Sequence, residues 1–192
     1  ENKKINYLLL KNEIIEIDDS IMDILSEPQN AVYYESFLEM FYTGYPIEEC
    51  DEKIKNGEND SYISQLIRKD LVVEFIKYMN TNNYPLNSKI TKSIFETNPL
   101  LNEKEPTLIE YAAFYGSIQI FNYLRLNEVD LTPSLWIYAI HSKNGELIHI
   151  LEENKVEMEG NTYKKCIIEA IKCHDKELIN YFLQFDHSKK NY

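Results

Sequence analysis

The sequence predicts an all-α fold built from stacked helical hairpins, and three observations lead to this prediction. Only 5 Gly and 6 Pro occur in 192 residues, so few positions suit the many turns of an all-β protein. Apolar residues recur at helical spacing, for example Ile120, Phe121 and Leu124 in the segment that follows Gly116. A helix–turn–helix pattern also returns in one register along the second half of the chain.

Residues 1–57 precede the repeated pattern and are predicted to form three or four helices. The segments "INYLLLKNEIIEIDDSIMDILSEP" and "NAVYYESFLEMFYTGYP" both read as helices. In "PIEECDEKIKNG", acidic residues come first and lysines late, as the helix dipole favours. We expect these helices to form a cap that shields the first hairpin. A separate functional domain is the alternative.

The repeated pattern is clearest in "TLIEYAAFYGSIQIFNYLRLN". Its first helix carries Ala112 and Ala113, a turn follows at Gly116, and a second apolar helix comes next. The pattern returns with Ala139 and Ala170 in the place of Ala112, and positions 8, 9 and 12 residues later are apolar in all three copies. A weaker copy has Leu66 in that place. The predicted hairpin units are about 58–84, 105–131, 132–160 and 161–187, with an inserted segment at 85–104.

The small residues have a physical reason. Two helices joined by a short turn must approach closely and then pack against the next pair. A large residue at that contact would cost roughly 1–3 kcal/mol by overpacking. One hairpin cannot bury its own apolar face, so such units occur in arrays.

The stretch "TLIEYAAFYGSIQIFNYL" resembles the ankyrin repeat, which it matches at Thr107, Ala112, Ala113, Gly116 and Leu124. The sequence of residues 61–154 is similar to those of the divergent ankyrin-repeat proteins that are greatly expanded in some parasitic protists. The resemblance implies an ankyrin-like array, and it suggests an intracellular protein. The connectors "EVDLTPS" and "NKVEMEGNTY" depart from the family pattern, so we expect its β-hairpin fingers to be reduced or absent.

The composition narrows the classes of function. A net charge of −12 and a pI near 4.8 disfavour nucleic acid and anionic membranes as partners. Three cysteines outside any disulfide framework indicate a reducing, intracellular compartment such as the cytoplasm. Cys173 and His174 are adjacent on a predicted helix and therefore point in different directions, which disfavours a metal site. We predict no enzyme activity, no metal and no cofactor.

The predicted function is a protein–protein interaction module that binds a partner on the concave face of the repeats. One alternative is a self-associating segment of a larger scaffold, joined through the N-terminal helices. Another is a hydrolase-type enzyme that pairs Cys166 with a histidine. Trp136 is predicted to lie in the core, because its register position matches that of apolar residues in the other copies.

The binding face is predicted from position alone. The residues just before and just after each alanine pair should lie on the concave side. They include four aromatic residues, for which partner binding and packing within the fold both stay open. The predicted site residues are Gln65, Arg68, Lys69, Tyr111, Phe114, Tyr115, Tyr138, His141, Ser142, Glu169 and Lys172.

Overall fold

The structure is a computed structural model that describes residues 52–53, 55–93, 95–158, 160 and 163–188. Within these ranges the chain is helical and contains one isolated β-bridge, between Lys89 and Thr107, but no strand. The predicted all-α class is therefore confirmed. The predicted cap at 1–57 lies outside the described residues except for its last few positions.

Nine helices occur in the described part of the chain. Their bounds, in chain order, are α1 Tyr62–Arg68, α2 Val72–Thr81, α3 Pro99–Lys104, α4 Leu108–Tyr115, α5 Ile118–Leu126, α6 Leu135–Ser142, α7 Gly145–Glu153, α8 Lys164–Lys172 and α9 Lys176–Ser188.

These residues divide into two compact units. One unit joins the described residues before 62 to residues 91–104, and the other contains 62–90 and 105–188. In the first unit, the backbone N–H of Asn59 donates to the Glu96 carboxylate at 3.2 Å, and the Asn59 side chain donates to the Thr91 carbonyl at 2.7 Å. The Thr97 hydroxyl donates to the Gly57 carbonyl at 2.9 Å. Part of the segment predicted as an insertion thus pairs with residues that precede the first hairpin.

The second unit is the hairpin unit, in which eight helices pair as four helical hairpins. Helices α1 and α2, α4 and α5, α6 and α7, and α8 and α9 contact each other. The first helix of each hairpin contacts the first helix of the next, so that α1, α4, α6 and α8 follow one another in chain order. The four helix pairs lie at the segments for which hairpin units were predicted, about 58–84, 105–131, 132–160 and 161–187.

In every hairpin, a residue with a left-handed backbone conformation lies in the turn between the first and second helices. Asp70, Gly116, Lys143 and His174 have φ angles of 50°, 70°, 53° and 53°. These are the four positions that the register assigns to the turn. The left-handed conformation is easy for glycine and costs other residues roughly 1–2 kcal/mol, so the hairpin geometry is retained even where the glycine is not.

The alanine positions are the contact points that the sequence predicts. Ala112, Ala139 and Ala170 are each completely buried, and Leu66 is 3% exposed. All four lie on first helices, which pack against one another. Trp136 is also buried, as predicted for a core position.

Polar side chains connect the first two hairpins at their turns. Both carboxylate oxygens of Asp70 accept backbone N–H groups of the second hairpin, from Gln119 and Ile120, each at 3.0 Å. The Ser117 hydroxyl donates to the Ile67 carbonyl at 2.6 Å. These bonds satisfy backbone groups at helix ends that would otherwise lack partners, and they hold the two hairpins in register.

Candidate functional site

Two of the eleven predicted site residues are buried. Tyr111 and Tyr138 are 1% and 3% exposed, so the expectation that they line an open face is corrected. Their helices, α4 and α6, each contact a first helix on both sides, which leaves no free surface at these positions. Burial raises the pKa of Tyr138, and the nearby Glu110 charge raises it further.

The other nine predicted residues are exposed or half-buried, and we call them the stripe. All but Lys69 lie on the four first helices, α1, α4, α6 and α8, and Lys69 directly follows α1. Several of the nine contact one another across hairpin boundaries. The stripe consists of Gln65, Arg68, Lys69, Phe114, Tyr115, His141, Ser142, Glu169 and Lys172.

The first part of the stripe connects α1 to α4 through Arg68. One guanidinium nitrogen of Arg68 donates to the Tyr111 hydroxyl at 3.0 Å, and its central carbon lies 5.8 Å from the Tyr115 ring centroid. The Tyr111 and Tyr115 rings are 4.9 Å apart. A cation over an aromatic ring at this distance contributes about 0.5–1 kcal/mol at an exposed site. The buried Tyr111 therefore positions two stripe residues, Arg68 through its hydroxyl and Tyr115 through its ring.

The second part connects α4, α6 and α8. The Phe114 ring is stacked on His141 with centroids 4.8 Å apart and contacts the Tyr115 ring at 5.0 Å. The Nε2 atom of His141 lies 2.8 Å from one oxygen of Glu169, and the ammonium of Lys172 lies 2.9 Å from the other. Together with Arg68, these contacts form a continuous run of side chains across all four hairpins.

The carboxylate of Glu169 lies at the centre of the α6–α8 contact. Burial by itself would raise its pKa, but hydrogen bonds from Lys172 and His141 outweigh that effect, and the pKa lies below the ordinary value. The group is therefore an ionised carboxylate near neutral pH. An ionised acceptor strengthens both hydrogen bonds.

Ser142 is the last residue of α6, and its side chain is hydrogen-bonded at the turn that follows. Its hydroxyl donates to the Ala139 carbonyl at 2.7 Å and accepts the backbone N–H of Asn144 at 3.0 Å. The next residue, Lys143, is exposed beside the stripe and was not among the predicted residues. The register places Lys143 at the turn that holds Gly116 in the clearest copy, but a turn position by itself does not indicate a role in binding.

Both cysteines of the hairpin unit have a raised thiol pKa. Burial raises the pKa of the Cys166 thiol to about 12, and its sulfur lies 3.9 Å from the sulfur of Met158. Burial, followed by the Glu169 charge, also raises the pKa of Cys173. The reactive species is the thiolate, so neither cysteine is activated at neutral pH.

Two further features bear on chemistry in the described residues. No three His, Cys, Asp or Glu side chains in this part of the chain are grouped so that they could hold a metal ion. A groove of about 330 Å³ lies beside Trp136, with Glu152, Lys155 and Met158 in its lining. The indole N–H of Trp136 is already bonded to the Val156 carbonyl at 3.0 Å, and the lining presents no activated nucleophile.

None of the helices described here has both the length and the apolar character that crossing a bilayer requires. In the comparisons with known proteins, no family model, no curated protein and no solved structure matches the chain.

Proposed function

We propose that this chain is an intracellular, ankyrin-like array of helical hairpins that binds a partner protein through the stripe. The observation that carries the proposal is the run of contacts from Arg68 to Lys172, which crosses all four hairpins. Arrays of this kind present extended binding surfaces because each unit adds the same edge to the one before.

Phe114 and Tyr115 are the expected anchors of the interface. Both rings are half-buried, and each contacts another stripe residue, Phe114 through His141 and Tyr115 through Arg68. These neighbours restrict the rings before any partner arrives, so little side-chain entropy is lost on binding. Aromatic residues held in this way are typical interface hot spots.

The test is selection of peptide ligands from a random 12-residue library on the immobilised full chain. Affinities are then compared for the wild type and the Phe114→Ala/Tyr115→Ala variant. Loss of about 2 kcal/mol at a hot spot corresponds to roughly 30-fold weaker binding. Tyr62→Ala is the matched control, because Tyr62 is an aromatic residue of the hairpin unit that is 56% exposed and lies outside the stripe.

Both variants are first checked for wild-type helicity and cooperative unfolding. Equal affinity of the wild type and a correctly folded Phe114→Ala/Tyr115→Ala variant would show that the stripe is not the binding surface. Weaker binding by the Tyr62→Ala control would place the interface elsewhere on the hairpin unit.

A structural, self-associating role is the second candidate, and the last hairpin favours it. Ile171 follows the alanine of α8 and is 53% exposed, whereas Ile67, Ala113 and Ile140 at the matching positions are fully buried. Ile168, on the same helix, is 45% exposed. Ile171 therefore occupies a position that the next hairpin covers elsewhere in the array, and Ile168 adds to the exposed apolar surface of α8. A strictly monomeric chain in analytical ultracentrifugation at high concentration would exclude this role.

A further inference from the structure

We propose that the stripe selects an acidic partner segment, with carboxylates on both sides of an apolar residue. This inference rests on the proposed binding function and specifies the chemistry of the partner. It follows from the local balance of charge, from the hydrogen bonds that the nearby carboxylates already accept, and from the distance between hairpins.

The stripe reverses the charge balance of the chain. The whole sequence has 20 Lys and Arg against 32 Asp and Glu. Within the stripe, Arg68, Lys69 and Lys172 stand against a single carboxylate, Glu169. Lys143 adds a further cation at the turn of the third hairpin.

The carboxylates close to this surface already have partners. Glu169 is bonded to His141 and Lys172. Asp70 accepts two backbone N–H groups at the start of α5. Asp175 accepts the backbone N–H groups of Glu177 and Leu178 at the start of α9, at 3.1 and 3.0 Å. Within the described residues, none of the three forms an ion pair with Lys69 or Lys143, because each is bonded to other donors.

The cations, by contrast, are open to a ligand. Lys69 and Lys143 are exposed, and within the described part of the chain neither makes an ion pair or a side-chain hydrogen bond. The Lys172 side chain is 65% exposed although one carboxylate contacts it. A ligand carboxylate can therefore meet a cation on the first, third or fourth hairpin without breaking a contact within the fold.

The net charge of the chain, −12, opposes an acidic partner only at long range. At physiological ionic strength the Debye length is about 8 Å, so exposed charges farther away are largely screened. The charges within the stripe then decide which segment binds. Charge complementarity of this kind contributes mainly to specificity.

The distance between hairpins sets the expected spacing in the partner. Packed helices lie about 8–10 Å apart, so the first and third hairpins, which carry Lys69 and Lys143, are roughly 18 Å apart. An extended segment advances about 3.3 Å per residue, which places the two ligand carboxylates about five or six residues apart. Phe114 and Tyr115, on the second hairpin, would contact an apolar residue between them.

The test uses the same 12-residue peptide library on three forms of the full chain. These are the wild type, the Lys69→Glu/Lys143→Glu variant, and a control, Lys77→Glu/Lys155→Glu, with the same change in net charge at exposed positions outside the stripe. Because neither Lys69 nor Lys143 makes a side-chain bond within the described residues, the charge reversal should leave helicity unchanged.

We expect the wild type and the control to select peptides rich in Asp and Glu around an apolar residue. The Lys69→Glu/Lys143→Glu variant should bind these peptides about tenfold more weakly, since two favourable charge contacts become unfavourable. Peptides that bind through Phe114 and Tyr115 but carry no acidic residues would overturn this inference and leave the proposed function standing. Selection of no peptide at all would overturn both.

Discussion

Ile140 and Ile171 provide a direct test of the packing scheme. Ile140 directly follows Ala139 on α6, and Ile171 directly follows Ala170 on α8. Ile140 is completely buried because the next hairpin packs over it, whereas Ile171 is 53% exposed in the last described hairpin. The two sites hold the same residue type in the same register position. A difference between the two Ile→Ala substitutions therefore reports how far the next hairpin buries the side chain.

The expected magnitudes differ clearly. Truncating a buried isoleucine to alanine costs about 2–5 kcal/mol, because apolar burial is lost and a cavity remains. At Ile171 about half of the side chain is already in water and no enclosed cavity forms. We expect a loss of about 1 kcal/mol or less there, since the better helix propensity of alanine offsets part of it.

Urea unfolding at 25 °C measures both values, with helical circular dichroism and Trp136 fluorescence as separate probes. For a slope of about 2 kcal/mol per M, a loss of 3 kcal/mol at Ile140 lowers the midpoint by about 1.5 M. Coincident curves from the two probes justify the two-state treatment. Equal losses for Ile140→Ala and Ile171→Ala would refute the conclusion that hairpins cover this position.

Three further predictions concern the turns and the α6–α8 contact. Gly116→Ala should lower the free energy of unfolding by about 1 kcal/mol, because φ is 70° there. Gly145→Ala should be neutral or stabilising, since no atom lies within 4 Å of the added carbon. The urea midpoints of the two variants test this difference. Asp70→Ala should cost about 1–2 kcal/mol in the same assay, because two N–H groups lose their acceptor; an unchanged midpoint would contradict that role. The pKa of Glu169 is lowered from 4.5, so its stabilising effect is present above that pH and lost as the pH falls through the folded-state pKa. Glu169→Gln should therefore show a shallower loss of stability in acid than the wild type.

Much of the hairpin unit could be predicted from sequence because the signals are local. Thr107 and Glu110 form the capping box that starts α4: the Glu110 carboxylate accepts the Thr107 backbone N–H at 2.8 Å, and the Thr107 hydroxyl accepts that of Glu110. Gly116 ends the helix in the left-handed conformation. Such contacts span three or four residues, so the sequence spacing alone predicts them.

The candidate site was predicted less completely, because exposure depends on neighbours that are distant in sequence. Tyr111 and Phe114 are three residues apart on α4, yet one is buried and the other is half-exposed. Helical spacing shows that they share a side of the helix, but it does not show how far α1 and α6 extend over each. Lys143 was missed for the same reason, since a lone lysine at a turn carries no local signal for a surface role.

By itself, the sequence predicted paired helices, the turn positions between them and the alanine contact positions, because each depends on residues that are close together in sequence. The structure showed that the turn residues Asp70, Lys143 and His174 are left-handed although none is glycine. Tertiary structure alone decided that Asp70 accepts N–H groups 49 and 50 residues away and that His141 meets Glu169 across two hairpins. It also decided that residues 91–104 belong to one compact unit with the described residues before 62. These features require chain segments to be brought together from a distance, and many side-chain patterns would be compatible with the same hairpins.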